Sequence, residues 1–240
     1  MDGPNLVPDF SAREAVSLES LQREIVACRR CPRLIRWREK VAKEKKAAYR
    51  NENYWGKPVP GWGDPAARIV VVGLAPGAHG SNRTGRMFTG DESGRWLYRA
   101  LWRAGWGSQE ASTGRDDGLR LKHVWITAAV KCAPPDNKPT PQERDRCGHF
   151  LERELKWLTS ARVYLALGGF GFEAVTRFFG LRPKPKFGHG IEVALPGGEW
   201  LIGSYHVSQQ NTFTGRLTEA MLDGVMAQAA RRAGLSEVKG

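Results

Sequence analysis

Four cysteines are the first residues in this chain that could do chemistry, because four thiolates complete the ligand set of a tetrahedral metal ion or an iron–sulfur cluster. Cys28 and Cys31 form a Cys-Arg-Arg-Cys pair, while Cys132 and Cys147 lie much farther along the chain. Ligands from such distant positions must be brought together by a folded protein rather than by a local finger. We therefore expect a metal centre that holds distant parts of the folded chain together.

The spacing of the cysteines leaves the metal open between iron and zinc. Structural zinc sites usually carry two close cysteine pairs, whereas the second pair here is widely spaced and interrupted by prolines. This favours a [4Fe–4S] cluster, with zinc and unliganded thiols as the alternatives. A redox-active Cys-x-x-Cys pair usually follows a strand, but Leu18, Leu21 and Ile25 precede this pair at helical spacing.

Three loops that follow apolar runs hold the second set of candidate residues. They are Gly-Leu-Ala-Pro-Gly-Ala-His-Gly at 73–80, Cys-Ala-Pro-Pro-Asp-Asn-Lys-Pro at 132–139, and the segment 206–216. The first loop is glycine-rich, but it lacks both the dinucleotide-binding glycine pattern and a phosphate-binding Gly-Lys-Ser/Thr. Ligands of open parallel sheets bind outside the carboxyl ends of the strands, so we expect the chemistry in these loops.

The apolar runs themselves predict a parallel sheet. Four short runs read as buried strands, at 68–73, 123–130, 162–167 and 200–205. Helical patterns lie between them, with capping boxes predicted from Thr89 to Glu92 and from Thr140 to Glu143. This alternation predicts an α/β fold, a three-layer αβα sandwich around a central four-stranded, mostly parallel sheet.

The composition indicates a polyanionic partner. Lysine and arginine outnumber aspartate and glutamate by 37 to 25, a formal net charge of +12, which favours nucleic acid over a merely soluble basic protein. The basic segment 36–50 could face DNA or be a solvated helix face. Met1 to Phe10 contain no apolar run, so we expect no signal peptide, and no stretch is long enough to span a membrane. We expect a cytoplasmic protein whose thiols stay reduced.

Three longer motifs carry a resemblance to a known family. They are GLAPGAHGSNRTGRMFTGD at 73–91, CAPPDNKPTP at 132–141 and YHVSQQNTFTGR at 205–216, and they resemble those of family 5 uracil-DNA glycosylases. The four cysteines resemble the iron–sulfur ligands shared by families 4 and 5. The resemblance extends from about Leu18 to Leu235. It implies one glycosylase-like domain over 1–240, in which a cluster-binding helical segment, 1–62, packs on an α/β core, 63–240.

The resemblance implies a DNA-repair enzyme that flips a deaminated base out of DNA and hydrolyses its N-glycosidic bond. The implied catalytic residues are Asp91, Asn137 and His206. The implied substrate-binding residues, several of them in the glycine-rich loop, are Gly73, Leu74, Ala75, Gly77, His79, Phe88, Asn137 and His206. The implied metal ligands are Cys28, Cys31, Cys132 and Cys147, holding a structural [4Fe–4S] cluster that fixes the loop of Asn137.

The group that activates water departs from the pattern of the wider superfamily. The wider superfamily usually places a carboxylate or amide in the loop after the first strand, whereas Leu74 and Ala75 cannot accept a proton. Asp91 is the substitute that the resemblance supports, although its position near a helix start also suggests a purely structural role. A pocket with few polar demands should discriminate weakly between bases, so we expect hypoxanthine and xanthine as substrates besides uracil.

The expected partner is DNA that contains deaminated bases, bound by a monomer. The loop after His206 and several cations are the predicted contacts, namely Arg83, Arg86, Lys138, Lys184, Lys186, Ser208, Gln209, Gln210, Asn211 and Arg216. Two alternatives remain open. One is an iron–sulfur DNA-binding protein without glycosylase activity, and the other is a redox or radical enzyme, although the Cys-x3-Cys-x2-Cys spacing of radical enzymes is missing.

Overall fold

A computed structural model describes residues 17–235 of the chain. Residues 1–16 and 236–240 lie outside the described part. The prediction that Met1 to Phe10 form no signal peptide, and both ends of the predicted domain 1–240, therefore fall outside it.

The sheet has six strands, two more than the sequence predicts. The strands are β1 (Trp62–Gly63), β2 (Ile69–Gly73), β3 (Val124–Ala128), β4 (Val163–Leu167), β5 (Glu192–Ala194) and β6 (Trp200–Ser204). Their order is β1-β3-β2-β4-β6-β5. The four predicted strands form the parallel centre, where β2 pairs with β3 and β4, and β4 pairs with β6. The additional strands, β1 and β5, are two and three residues long and pair antiparallel at the edges.

The predicted three-layer architecture is confirmed by the packing on the two faces of the sheet. Every residue of β2, β3 and β4 is buried, as expected for strands covered on both sides. The helices are α1 (Leu18–Ala27), α2 (Pro32–Glu44), α3 (Ser81–Thr84), α4 (Glu92–Arg103), α5 (Pro141–Trp157), α6 (Gly169–Phe178), α7 (Gln209–Phe213) and α8 (Glu219–Ala233). Helices α4 and α8 pack on one face of the sheet, and α5 and α6 on the other. Within residues 17–235, none of these helices is long and apolar enough to cross a membrane.

The starts of two helices test the predicted capping boxes. Helix α5 begins as predicted, since Thr140 and Glu143 each bond the other's backbone N–H. Helix α4 begins two residues later than predicted, because Asp91 rather than Thr89 is its N-cap. The Thr89 hydroxyl is buried and bonds the Ser112 hydroxyl and the Met87 carbonyl instead.

Helices α1 and α2 carry the N-terminal cysteines to the end of the sheet. Leu21 and Ile25 of α1 and Leu34 of α2 are fully buried in a cluster with Cys132, Cys147 and Phe150. Cys28 and Cys31 lie in the connection between the two helices and pack on the same cluster. The apolar faces of two short helices thereby bring the four thiols to one place.

A buried ion pair connects β3, α5 and the loop that carries Cys132. Lys131 and Glu154 are 1% and 0% exposed and pair directly. The Lys131 ammonium also donates to the Thr127 hydroxyl (2.5 Å), which itself donates to Glu154 (2.7 Å). The Gly61 N–H bonds the other carboxylate oxygen of Glu154 (3.0 Å). Each oxygen of Glu154 thus has a donor, as a buried carboxylate requires.

Breaking this pair on one side should destabilise the protein strongly. Lys131→Met leaves the Glu154 carboxylate buried without its cation, and such a change costs about 3–5 kcal/mol of unfolding free energy. The double variant Lys131→Met/Glu154→Leu should recover most of that stability, because no charge is left buried. Denaturant unfolding of the three proteins measures both effects. A single variant as stable as the wild type would contradict this account.

Candidate active site

The predicted loops meet in one groove at the carboxyl ends of the parallel strands. The groove has a volume of about 830 Å³. It brings together nine predicted or neighbouring loop residues: Gly77, His79, Gly80, Gly90, Asp91, Asn137, Ser208, Gln209 and Gln210. They come from the loops after β2, β3 and β6, so the topology places the three motifs at one edge of the sheet.

Asp91 is held between a helix start and the glycine-rich loop. One carboxylate oxygen accepts the Gly94 N–H (3.0 Å) as the N-cap of α4. The other oxygen lies against Gly77 and Gly80, where a side chain at either position would collide with it. Burial raises the pKa of Asp91 above its usual range, although the backbone N–H groups of Gly94 and Ser93 oppose the shift. A largely desolvated carboxylate beside a groove is a good candidate for a proton acceptor.

Arg83 holds the two segments around Asp91 together. Its guanidinium donates to the carbonyls of His79 (2.8 Å) and Gly90 (2.7 Å). It also pairs with Glu52 and stacks over the ring of Tyr49, 3.8 Å from its centre. With all these internal partners and only 7% of the residue exposed, Arg83 is a cross-link between loops rather than the phosphate contact that the sequence suggested.

Two further predicted DNA contacts also have internal partners. Arg86 is buried and pairs with Asp117 (2.7 Å), which ties the loop between α4 and β3 to the segment before Phe88. Asn211 donates its amide to the His206 carbonyl (2.8 Å) and so fixes the start of the loop after β6. We therefore remove Arg83, Arg86 and Asn211 from the residues that we expect to meet phosphates.

The remaining predicted contacts lie at the surface, with one ion pair among them. Lys184 pairs with Glu173 (3.2 Å). Ser208 is half-buried as the residue before α7. The exposed members of the set are Lys138, Lys184, Lys186, Gln209, Gln210 and Arg216. The Arg216 guanidinium lies 4.7 Å from the centre of the Tyr205 ring.

Phe88 and His206 lie together near the carboxyl ends of β2 and β6, but they are not among the residues that line the groove. Their ring centres are 6.1 Å apart, with the ring planes inclined by 35°. Phe88 has a left-handed backbone (φ 54°), an unusual conformation for an aromatic residue that often marks a functional site. Its ring covers Gly73 at the end of β2, where any side chain would collide with it. Burial lowers the pKa of His206 to about 4, so its imidazole is neutral near pH 7.

Leu74 and Ala75 directly follow β2, and neither side chain can accept a proton. Leu74 continues the sheet beyond β2, since its carbonyl accepts the Val130 N–H (3.0 Å). Ala75 packs on the apolar cluster of the cysteines. The glycine-rich loop thus touches both the groove and the cysteine cluster.

Asn137 lies in a tight turn that borders the groove. Asp136 and Asn137 both have left-handed backbones, with φ of 53° and 54°, which short polar residues tolerate best. Pro135–Asn137 form a single 3-10 turn. Arg33 supports this turn from α2, since it bonds the Lys138 carbonyl (3.3 Å) and pairs with Glu143 (2.8 Å).

The groove also contains residues that lie outside the three motifs. Trp37, Lys46 and Tyr49 form part of its wall. The Tyr54 hydroxyl bonds Nδ1 of His79 (3.0 Å) and accepts the Lys46 N–H (3.3 Å). Burial, with help from the nearby Lys46 and Arg83, lowers the pKa of His79 below its usual range. These contacts depend on long-range packing, so no local pattern could have revealed them.

The four cysteines surround one small cavity beside this groove. Cys28, Cys31, Cys132 and Cys147 all line it. Within residues 17–235, no three His, Cys, Asp or Glu side chains stand close enough to share a single metal ion. An iron–sulfur cubane differs from a single ion in that each thiolate binds its own iron.

The chemistry around the thiols fits a bound anion. Arg38 is 2% exposed, donates to Cys132 Sγ (2.9 Å) and has no carboxylate partner in the described part of the chain. Its Nε lacks any partner there as well. Burial raises the pKa of Cys132 to about 11, so a neutral thiol cannot balance this cation. A cluster held by four thiolates carries negative charge and would balance it.

Comparison with known proteins gives matches over most of the chain. Residues 60–230 match the model of the uracil DNA glycosylase superfamily. The chain is 55% identical over 218 residues to a type-5 uracil-DNA glycosylase of Thermus thermophilus, covering 90% of this chain and 99% of that protein. It is 50% identical over 224 residues to the type-5 enzyme of Mycobacterium bovis, covering 92% and 84%. With the type-5 enzyme of Pyrobaculum aerophilum it shares 46% identity over 210 residues, covering 88% and 91%.

The position of Asp91 leads to an unusual expectation for stability. Asp91→Asn keeps the acceptor for Gly94 N–H, since asparagine caps helices as well as aspartate does, but it removes a charge that burial disfavours. The variant should therefore be at least as stable as the wild type at pH 7. Burial raises the pKa of Asp91 in the folded state. The stability of Asp91→Asn relative to the wild type should therefore increase as the pH rises from 3.8 through the raised pKa, and then stay constant.

Urea unfolding of the wild type and Asp91→Asn between pH 4 and 8 measures this difference. Asp91→Ala is the matched control, because it also loses the cap and should be less stable than Asp91→Asn by about 1 kcal/mol. An Asp91→Asn variant clearly less stable than the wild type at pH 7 would show that the charge serves the fold.

Proposed function

We propose, because this chain belongs to the uracil-DNA glycosylase superfamily, that it removes uracil from DNA by hydrolysing the N-glycosidic bond and leaves an abasic site. The relatives named above are uracil-DNA glycosylases. Two observations carry the proposal: Asp91 and Asn137 line one groove, and Phe88 lies beside His206 and against Gly73 at the end of β2. An aromatic face, a carboxylate and two hydrogen-bonding side chains are the groups that this reaction needs.

Phe88 supplies the face on which the flipped base stacks. A base must leave the duplex before its glycosidic bond can be reached, and the pocket must compensate for the stacking that the base gives up. The Phe88 ring is half-buried and fixed by Gly73 behind it and His206 beside it. A ring held in this way offers stacking without first having to be ordered.

His206 stabilises the departing base. As the glycosidic bond breaks, negative charge develops on the base, and a fixed N–H donor lowers the energy of that state. The low pKa of His206, about 4, keeps the imidazole neutral, so it donates a hydrogen bond without giving up its proton. Asn211 fixes the backbone of His206, and a side chain at Gly168 would press against the Cβ of His206.

Asp91 accepts the proton of the attacking water, and Asn137 helps to position that water or the base. The raised pKa of Asp91 makes it a better proton acceptor than an exposed aspartate. Asn137 borders the same groove and offers both a donor and an acceptor. The products are the free base and an abasic sugar that carries the hydroxyl of the water.

We include hypoxanthine and xanthine among the substrates, because the loop after β2 sets few polar requirements on the base. Leu74 and Ala75 present no carboxylate or amide, so the loop after β2 leaves few buried polar groups unpaired when another base binds. Unpaired polar groups are the main means by which a site rejects a wrong ligand.

DNA binding follows from the surface around the groove. Lys138, Lys186 and Arg216 are exposed there or nearby, as are Gln209 and Gln210. Phe213 at the end of α7 is 73% exposed, and such an exposed aromatic beside a flipping site is suited to enter the space that the base leaves. The enzyme that we propose is a cytoplasmic monomer that acts on DNA.

We assign a structural [4Fe–4S] cluster to Cys28, Cys31, Cys132 and Cys147. The cavity that they share and the unbalanced charge of Arg38 support it. Bound there, the cluster would supply a rigid link between α1, α2, α5 and the loop of Asn137. The bond cleavage itself uses only the side chains of the groove.

Cleavage of oligonucleotides tests the proposed function. Duplexes with one uracil, hypoxanthine or xanthine should yield abasic sites, seen as strand breaks after alkali, while thymine at the same position should not react. His206→Ala should lower the single-turnover rate by about 10²–10³, because it removes a fixed donor to the developing anion, with DNA affinity nearly unchanged.

No base release from any of these duplexes, despite binding, would favour the alternative of an iron–sulfur DNA-binding protein. Cleavage of uracil alone would leave the main proposal standing and contradict the broad substrate range.

Removal of one cluster ligand should affect folding and DNA affinity before it affects the chemical step. Protein purified without oxygen should contain about four iron atoms per chain, and Cys132→Ala should lose iron, visible absorbance and thermal stability together. Metal analysis, absorbance and thermal unfolding measure these changes. Stoichiometric zinc in place of iron would contradict the cluster, and a soluble Cys132→Ala that binds DNA normally but cannot cleave it would contradict its structural role.

A further inference from the structure

We infer that residues 45–54, which we call the basic turn, form a second DNA-binding wall that receives phosphates at the edge of the groove. This deepens the proposed function, on which it rests. None of the three motifs includes this segment, yet Lys46 and Tyr49 line the groove together with Trp37 of α2. The turn lies between α2 and β1, outside the α/β core.

The charges of this region are unbalanced in favour of cations. Its three carboxylates are already paired: Glu39 with Arg29, Glu44 with Lys40, and Glu52 with Arg83. Besides the buried Arg38, five cations of α2 and the basic turn have no carboxylate within ion-pair distance among residues 17–235, namely Arg36, Lys43, Lys45, Lys46 and Arg50. A solvated helix face usually carries mixed charges that pair along the helix, so an excess beside the groove indicates an anionic partner.

The basic turn is anchored to the active-site loop rather than free. Glu52 pairs with the buried Arg83, which also bonds the carbonyls of His79 and Gly90. Tyr49 stacks on the same guanidinium. The backbone N–H groups of Trp55 and Gly56, just after the turn, donate to the carbonyls of Arg83 and Asn82. The turn is therefore fixed to the segment that shapes the Asp91 site, so cations on it have a defined position relative to the flipped base.

Internal contacts also set the shape of the turn. The Lys45 ammonium bonds the Arg50 carbonyl (3.1 Å), and the Tyr54 hydroxyl bridges the Lys46 N–H and His79. These contacts leave the side chains of Lys46 and Arg50 exposed. Charged donors without a matching pattern of acceptors suit the phosphate backbone, which offers oxygens at every nucleotide, better than base edges.

The test is the salt dependence of DNA binding by Lys46→Ala/Arg50→Ala. The slope of log Kd against log salt should fall by about 1 for each phosphate that the variant no longer binds. The decrease in affinity should be equal for undamaged duplex and for duplex with uracil. Lys156→Ala is the matched control, an exposed lysine in the last turn of α5, and should leave the slope unaltered.

An unchanged slope in the double variant, equal to that of the wild type and Lys156→Ala, would overturn the inference. A decrease in affinity confined to duplex with uracil would overturn it too, because it would indicate base recognition. Binding to undamaged DNA does not depend on base release. A wild type that binds with the expected slope but releases no base would therefore contradict the proposed function and leave the basic turn as a DNA-binding wall.

Discussion

The desolvated carboxylate of Asp91 is the constraint on which the surrounding structure depends. Its position requires a helix N-terminus on one side and backbone without side chains on the other, which Gly77 and Gly80 provide. The same close approach recurs at Gly94, where a side chain would collide with the Phe88 carbonyl. The glycines of the first motif thus serve to bring backbone up to a buried charge. Placing Asp91 in this way costs the fold free energy, which is characteristic of groups kept for chemistry rather than for stability.

Buried cations link this site to the rest of the molecule. Arg83 ties the glycine loop to the segment before α4, Arg86 ties the following loop to Asp117, and Arg38 reaches the cysteine cavity. Lys131 connects the end of β3 to α5 through its ion pair with Glu154. Each of these buried cations fixes an irregular segment outside the strands. Part of the basic excess of this chain therefore serves internal structure, and only the remaining exposed cations are available to DNA.

The sequence was sufficient to predict the central sheet, because its four parallel strands are continuous apolar runs and their loops carry the motifs. It could not predict β1 and β5, since edge strands of two or three residues leave no pattern. The spacing of Thr89 to Glu92 predicts a helix cap at Thr89, whereas Asp91 is the N-cap in the structure. The roles of Arg83 and Arg86 could not be read from charge alone, because their partners, Glu52 and Asp117, lie 31 residues away in each case. Tyr49 and Tyr54 join the site only through these long-range contacts.

The proton acceptor of the reaction, on this account, is Asp91 with its raised pKa. Single-turnover cleavage of a uracil duplex as a function of pH, for the wild type and for Asp91→Asn, tests this most directly. We expect the wild-type rate to fall on the acid side with an apparent pKa above the ordinary aspartate value of 3.8, since protonation removes the acceptor. Asp91→Asn should be folded, much slower, and without this acid limb. An Asp91→Asn variant that keeps both the rate and the acid limb would contradict the account.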